Sequence, residues 1–295
     1  MTEQRSSIEG LVGYEFPPLT FSYTERDVCL YALGVGAATN MTDQEELQFT
    51  YELSTLGFKA LPTFGVMYTS KMIDVLVGGR IGNVEFNPMM LVHGEQYLEI
   101  KQPIPTSGVI TSHAKVAHIY DKGSGMLMVT DTSCKDSNGK EIVFNQSSIF
   151  IRGMGGFGGE RGPSSEINIV PDREPDAIHV QQTLPQQALL YRLSGDFNPL
   201  HADPIMAAIG GFDRPILHGL CTFGFAGRAV LKHFCDNDPK RFRSIKVRFS
   251  KHVFPGETLV TEMWKVADTR IIFRTKVAER DVYVLTQAAV EIKPL

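Results

Sequence analysis

Thr24-Glu-Arg-Asp-Val-Cys-Leu-Tyr-Ala-Leu-Gly34 finds an echo in Leu184-Pro-Gln-Gln-Ala-Leu-Leu-Tyr-Arg-Leu-Ser194, with Tyr31 and Leu33 standing where Tyr191 and Leu193 stand. Further on, Leu56-Gly-Phe-Lys-Ala-Leu-Pro-Thr-Phe-Gly65 parallels Ile209-Gly-Gly-Phe-Asp-Arg-Pro-Ile-Leu-His-Gly219, and Lys101-Gln-Pro-Ile-Pro105 parallels Lys251-His-Val-Phe-Pro255. Matches that keep their order along the chain read as one unit used twice. This constrains the fold more than any bulk property, because both halves must close by the same plan.

Each unit begins with a short helix. The first has a Thr24/Asp27 cap signal, and the second has Thr183 as cap with proline in its first turn. A longer apolar helix follows, from Pro62 to about Val77 and from Ile216 to about Phe234. The second of these is apolar around most of its surface, which predicts burial. Runs rich in Val, Ile, Thr and aromatics then read as strands. They are Glu95–Ile100, Gly108–Tyr120, Gly125–Cys134 and Glu141–Arg152 in the first half, and Ser244–Phe249, Thr258–Val266, Arg270–Ala278 and Val282–Ile292 in the second. Consecutive strands with hairpin turns favour an antiparallel sheet. The expected class is α+β, a long antiparallel sheet curled around one buried helix in each half. The expected division is 1–152, a linker over 153–165, and 166–295. The linker contains Gly153-Met-Gly-Gly-Phe-Gly-Gly-Glu-Arg-Gly-Pro163, which has no hydrophobic period and little bulk. A phosphate-cradling loop is the alternative there, but no GxxxxGK[ST] pattern supports it.

With 295 residues, 43% hydrophobic and 21% charged, the chain has ample material for a core. A net charge of −4 argues against non-specific nucleic-acid binding, while leaving room for a local basic patch. Cys29, Cys134, Cys221 and Cys235 are widely spaced, with no CxxC or His/Cys cluster, so no metal site and free thiols in a reducing compartment are expected. The polar start of the chain has no apolar signal core, and no apolar run reaches a membrane span. The ending Lys293-Pro-Leu295 shares only its leucine with a Ser-Lys-Leu peroxisomal address.

The chemistry concentrates in Tyr191-Arg-Leu-Ser-Gly-Asp-Phe-Asn-Pro-Leu-His201, which sets Asp196, Asn198 and His201 within six residues. Gly195 and Pro199 exclude regular helix or strand, leaving a shaped loop that presents a carboxylate, an amide and an imidazole. Such groups can hold a water and move its protons. Taken singly, Asp196 is a turn former and His201 a structural histidine. Their combination points to acid–base work. His218-Gly219 opens the buried helix, where first-turn N–H groups lack intrahelical acceptors and the helix dipole is positive. Gly219 could there serve a developing oxyanion, or simply pack, as Gly224 and Gly227 do. In the first half Gly36 stands for Asp196, and Phe64-Gly65 for His218-Gly219. That half keeps the scaffold without the acid or the histidine, so its expected role is to shape a pocket.

Residues 191–201 and Gly-Phe-Asp-Arg-Pro-Ile-Leu-His-Gly-Leu (211–220) together resemble the hydratase 2 motif of the MaoC-like (R)-specific enoyl-CoA hydratases. The two-half layout resembles the form found as a domain of peroxisomal multifunctional enzymes. The similarity extends to Leu91–Glu99, Tyr120–Gly125 and Val247–Lys251. The resemblance implies a double hot-dog fold and hydration of trans-2-enoyl-CoA to (3R)-hydroxyacyl-CoA in fatty acid β-oxidation, with no cofactor. It implies Asp196 and His201 as the acid/base pair, Asn198 as the water-orienting group and the Gly219 N–H as the thioester-oxygen donor. CoA and acyl contacts carry over onto His93, Gly94, Lys122, Phe197, Pro199, Leu200 and Phe249. It further implies a homodimer and a peroxisomal location, with cytoplasm as the alternative. An acyl-CoA thioesterase, an acyl-carrier dehydratase and a non-catalytic acyl-CoA binding module are the competing readings.

Overall fold

The computed structural model describes residues 7–163 and 167–293. Residues 1–6, 164–166 and 294–295 lie outside them, so the readings made on the two termini rest on sequence alone.

The first half contains β1 (Leu19–Tyr23), α1 (Glu25–Gly34), α2 (Gln44–Leu47), a 3-10 helix over Pro62–Thr69, α3 (Met72–Val77), a small hairpin of β2 (Arg80–Ile81) and β3 (Val84–Glu85), and then β4 (Leu91–Ile100), β5 (Gly108–Asp121), β6 (Gly125–Lys135) and β7 (Glu141–Arg152). The second half contains β8 (Ala177–Gln182), α4 (Gln187–Tyr191), α5 (Pro204–Ile209), α6 (Gly219–Phe234), β9 (Phe242–Phe249), β10 (Thr258–Ala267), β11 (Arg270–Val277) and β12 (Val282–Ile292).

Ten strands form one antiparallel sheet in the order β1-β5-β6-β7-β4-β9-β12-β11-β10-β8. Read inward from either edge, the two halves have the same connectivity, and they join at β4 and β9. The join has the register of a local two-fold. The pair Glu95↔Arg248, moved by the spacing that separates Lys101 from Lys251, becomes the pair Leu98↔Ile245. The duplication in the sequence is therefore a duplication in space, and the double hot-dog expectation holds.

Helix α6 crosses the concave face, and all eleven residues from Cys221 to Leu231 are buried. Its glycines are contact points: a methyl group at Gly224 would overlap Val35, and one at Gly227 would overlap Thr63. A buried ion pair enters this core. Arg228 donates to Glu46 Oε1 at 2.8 Å, to Val35 O at 2.9 Å and to Gln181 Oε1 at 3.0 Å. A buried cation so surrounded is compensated on each side. At the far end of β5–β7 the same face is covered by Ile8, Leu11 and Phe16, by α3 and by the β2–β3 hairpin, a second apolar cluster.

Four expectations need correction. The first-half helix is not continuous: it is a 3-10 helix followed by α3. Sheet and local side chains take its carbonyls, with Asn145 donating to Gly65 O, Ser112 to Tyr68 O and Thr69 to Val66 O. Side-chain bonds of this kind compete with the α-helical ladder. The second short helix lacks the Thr183 cap, because the Thr183 hydroxyl donates to Glu257 O and accepts from Gly256 N. Helix α6 begins at Gly219 rather than Ile216, because Leu217 N pairs with Val253 O at 2.7 Å and keeps the chain extended. The glycine-rich segment is docked, not free. Phe157 is buried in the second cluster, and Asp121 accepts from the N–H groups of Gly123, Gly156 and Gly158. The edge strands β1 and β8 were not read from the sequence at all.

Candidate active site

The turn after α4 sets the geometry. Gly195 has φ of 132°, a region that side chains rarely adopt, and a methyl group there would stand 3.0 Å from Ser70 Oγ. The chain then reverses and presents Asp196 inward. Asn198 Oδ1 accepts from Leu200 N at 3.0 Å and caps a 3-10 turn over Pro199–His201. Asn198 N donates to Asp196 Oδ1 at 3.2 Å. The Gly/Pro pattern read in the sequence thus makes a loop in which the main chain itself fixes the carboxylate.

Asp196 is buried, and His201 is partly so. His201 Nδ1 lies 2.8 Å from Ile216 O, and a carbonyl accepts only from an N–H. The proton is therefore on Nδ1, and Nε2 carries a free lone pair. Ile216 offers that carbonyl because it lies in the extended segment just before α6. Burial pushes the Asp196 carboxyl above its ordinary range, against the opposing influence of His201 and the Asn198 N–H. Burial likewise pushes His201 down, against the pull of Asp196. Both shifts favour the uncharged pair, a carboxylic acid beside a neutral imidazole.

His218 completes the cluster. It is 1% exposed, its Nε2 is 3.2 Å from the Asp196 carbonyl, and its ring stacks on His201 with centroids 3.7 Å apart. Burial holds it well below the usual histidine range, and its Nδ1 has no partner among the described residues. Ligand atoms of Asp196, His201 and His218 lie within 4.8 Å of one another, close enough to raise the question of a metal. The two rings are tilted by only 29°, so their in-plane lone pairs do not converge on one nearby point. The arrangement suits proton transfer better than ligation. From the sequence His218 was named only beside Gly219, and its side chain was given no role. The signal was available in its position, immediately before Gly219 and opposite Phe64 of the first half.

Of the remaining expected residues, Gly219 is the first residue of α6, and the Phe249 ring lies 3.1 Å from where its methyl group would be. The His93 ring is 4.8 Å from that of Phe249, and His93 Nε2 bonds Glu95 O across a bulge at Gly94. His93, Gly94 and Phe249 thus meet at the start of the helix. Phe197 is 56% exposed under the Arg192 guanidinium, Pro199 is exposed and Leu200 is half-buried. Lys122 sits in the β5–β6 turn and donates to Arg161 O and Pro163 O, tying down the glycine-rich segment. The first-half counterpart of Asp196 is closed: a methyl group at Gly36 would overlap Phe225.

A model of the MFE-2 hydratase 2 N-terminal domain matches residues 21–153, and a model of the MaoC-like domain matches residues 166–288. The chain belongs to the MaoC-like hydratase 2 family. Among relatives of this hydratase 2 chain, a probable enoyl-CoA hydratase 2 of Dictyostelium discoideum is 48% identical over 98% of this chain and 97% of its own. The peroxisomal multifunctional enzyme type 2 of Mus musculus is also 48% identical over 98% of this chain, which spans 39% of that longer protein. A crystal structure of a MaoC-like dehydratase from Phytophthora capsici superposes with a TM-score of 0.86 at 38% identity, covering 97% of each chain.

Proposed function

We propose that this hydro-lyase adds water reversibly to trans-2-enoyl-CoA, giving (3R)-hydroxyacyl-CoA in fatty acid β-oxidation. The observation that carries the reading is the buried Asp196–His201 pair with its tautomer fixed by Ile216 O. The relatives' names, enoyl-CoA hydratase 2 and peroxisomal multifunctional enzyme type 2, support it.

An α,β-unsaturated thioester is electrophilic at C3. His201 Nε2, the free lone pair, takes a proton from a water as its oxygen bonds to C3. Charge moves to the thioester oxygen, where the Gly219 N–H opposes it, an effect worth about 3 kcal/mol per donor in other enzymes. Asp196, whose carboxyl burial raises above its ordinary range, delivers its proton to C2. The pair holds a second proton only until C2 takes one; the proton on His201 then passes to Asp196 and the starting state is restored. A water and a proton delivered from one side give syn addition. Asn198 has its oxygen and main-chain N–H committed to the loop, so its amide hydrogens are the group that orients the water.

Phe249, His93 and Gly94 form the wall where CoA approaches, and Phe197, Pro199 and Leu200 flank the acyl side. Lys122, in the β5–β6 turn, is the candidate for a CoA phosphate, which would take its ammonium from Arg161 O and Pro163 O. Residues 1–152 shape the acyl pocket, 153–165 connect the units and 166–295 carry catalysis. The protein works as a homodimer in the peroxisome.

The test is chiral analysis of the product from crotonyl-CoA and medium-chain enoyl-CoAs. The (3R)-hydroxyacyl-CoA is expected, with no free thiol released. An (S) product, or thiol release without hydration, overturns the assignment. Asp196→Asn should lower kcat by about 10²–10⁴-fold, the range for a positioned acid or base.

A further inference from the structure

The local two-fold that relates β4 to β9 carries the active-site approach onto a second place in the molecule. Beside the start of α6, the approach is formed by Phe249 and the segment after it, where Val253 O holds Leu217 N. The two-fold moves that segment onto the one following Glu99. A cleft of about 210 Å³ opens there, with Ile100, Pro103, Pro239 and Phe242 as an apolar floor and Lys101, Lys240 and Lys293 around it. Lys101 is the repeat counterpart of Lys251 at the catalytic approach.

The charges are not equally engaged. Lys101 Nζ is 2.8 Å from Glu99, which neutralises part of it. Lys240 and Lys293 are exposed and have no carboxylate partner among the described residues. Asp238 is spent on capping Lys240 N, and Asp236 pairs with Arg241. Two free ammonium groups over a flat apolar floor match a phosphorylated nucleotide, with cations for phosphate and apolar surface for the base.

The cleft is closed to anything longer. Gly65, the counterpart of Gly219, has Leu98, Val143 and Ile104 within 3.4 Å of its methyl position, and Phe64 replaces His218. We infer that the cleft of Lys101, Lys240 and Lys293 is a second, non-catalytic site that binds the adenosine phosphate head of CoA. The cleft lies at the first unit's counterpart of the catalytic approach, and its two free cations, Lys240 and Lys293, come from the second unit. The inference rests on the acyl-CoA reading only for its choice of ligand.

Calorimetric titration of the whole protein with free CoA should return two equivalents per chain. Lys240→Glu combined with Lys293→Glu should weaken the second by at least about tenfold, a loss of about 1.4 kcal/mol, with kcat and KM for crotonyl-CoA unchanged. An unchanged thermal midpoint shows that this variant is folded. One equivalent in the unaltered protein overturns the inference, and so does a second equivalent that survives both charge reversals. Turnover separates the two readings. A chain that hydrates crotonyl-CoA yet binds one CoA loses the cleft and keeps its catalytic assignment. A chain that binds two but hydrates none keeps the cleft and loses that assignment.

Discussion

Asp196 is held in conflict with its own stability. Its folded carboxyl titrates above the unfolded value, chiefly through burial, so ionising it costs the native state. That cost is absent below the unfolded pKa, near 3.9, and complete above the folded one. Asp196→Asn, whose amide oxygen can still accept from Asn198 N, should therefore raise the thermal midpoint at pH 7.5 by a few degrees, the scale of about 1 kcal/mol in a domain this size. The gain should vanish as the pH falls toward 4; a midpoint lower than wild type at pH 7.5 refutes the account. His218 acts through its neighbours, by its bond to the Asp196 carbonyl and its stack on His201. His218→Phe, which installs the residue found at the first-half counterpart, keeps the ring and removes the bond. The expected result is a fall in kcat of about 10²-fold, the usual cost of a small misplacement, with KM nearly unchanged. Asp196, Asn198 and His201 were legible because Gly195 and Pro199 allow only a turn there. The role of His218 was not, because a lone buried histidine looks like core until its contacts are known.

At the scale of elements, the long strands were read within two residues except β4, which starts at Leu91 rather than Glu95. Alternation and hairpin turns sufficed for them. Strands β1 and β8 are short edge strands, and their pairing with β5 and β10 is what defines them. The first-half helix was misread because its apolar run is genuine while its carbonyls are taken by Asn145 and Ser112 from the sheet. Helix α6 depends on close approach. Gly224→Ala places a methyl group into Val35 and should destabilise by about 1–3 kcal/mol, read from urea unfolding. Arg228 on the same helix needs Glu46, whose carboxyl burial alone would raise and which Arg228, the Ala38 N–H and Lys232 together hold low. Glu46→Gln leaves a buried cation uncompensated and should cost about 3–5 kcal/mol. A loss below 1 kcal/mol would show that Arg228 finds water instead.

The whole molecule is sensitive to acid through histidines kept neutral by burial. His93 and His179 are pushed down to about 4, and His201 and His218 are also lowered. For each, the unfolded chain binds its proton near pH 6.5 while the native state does not, so stability is complete above that pH and falls as pH drops toward 4. The urea midpoint should hold from pH 7.5 to about 6.5 and decline from there to pH 5, and a flat profile would contradict the buried, neutral assignment. The sequence by itself determined the repeat, the class of fold and the turn that gathers Asp196, Asn198 and His201. Repetition, alternation and Gly/Pro restriction act over a few residues and need no knowledge of neighbours. Tertiary structure alone decided that the two units share one sheet through β4 and β9, that Ile216 O selects the His201 tautomer, that His218 joins the pair, and that the first unit's site is sealed by Phe225. Those outcomes depend on which distant surfaces meet, and burial, which sets every titration above, exists only once they have met.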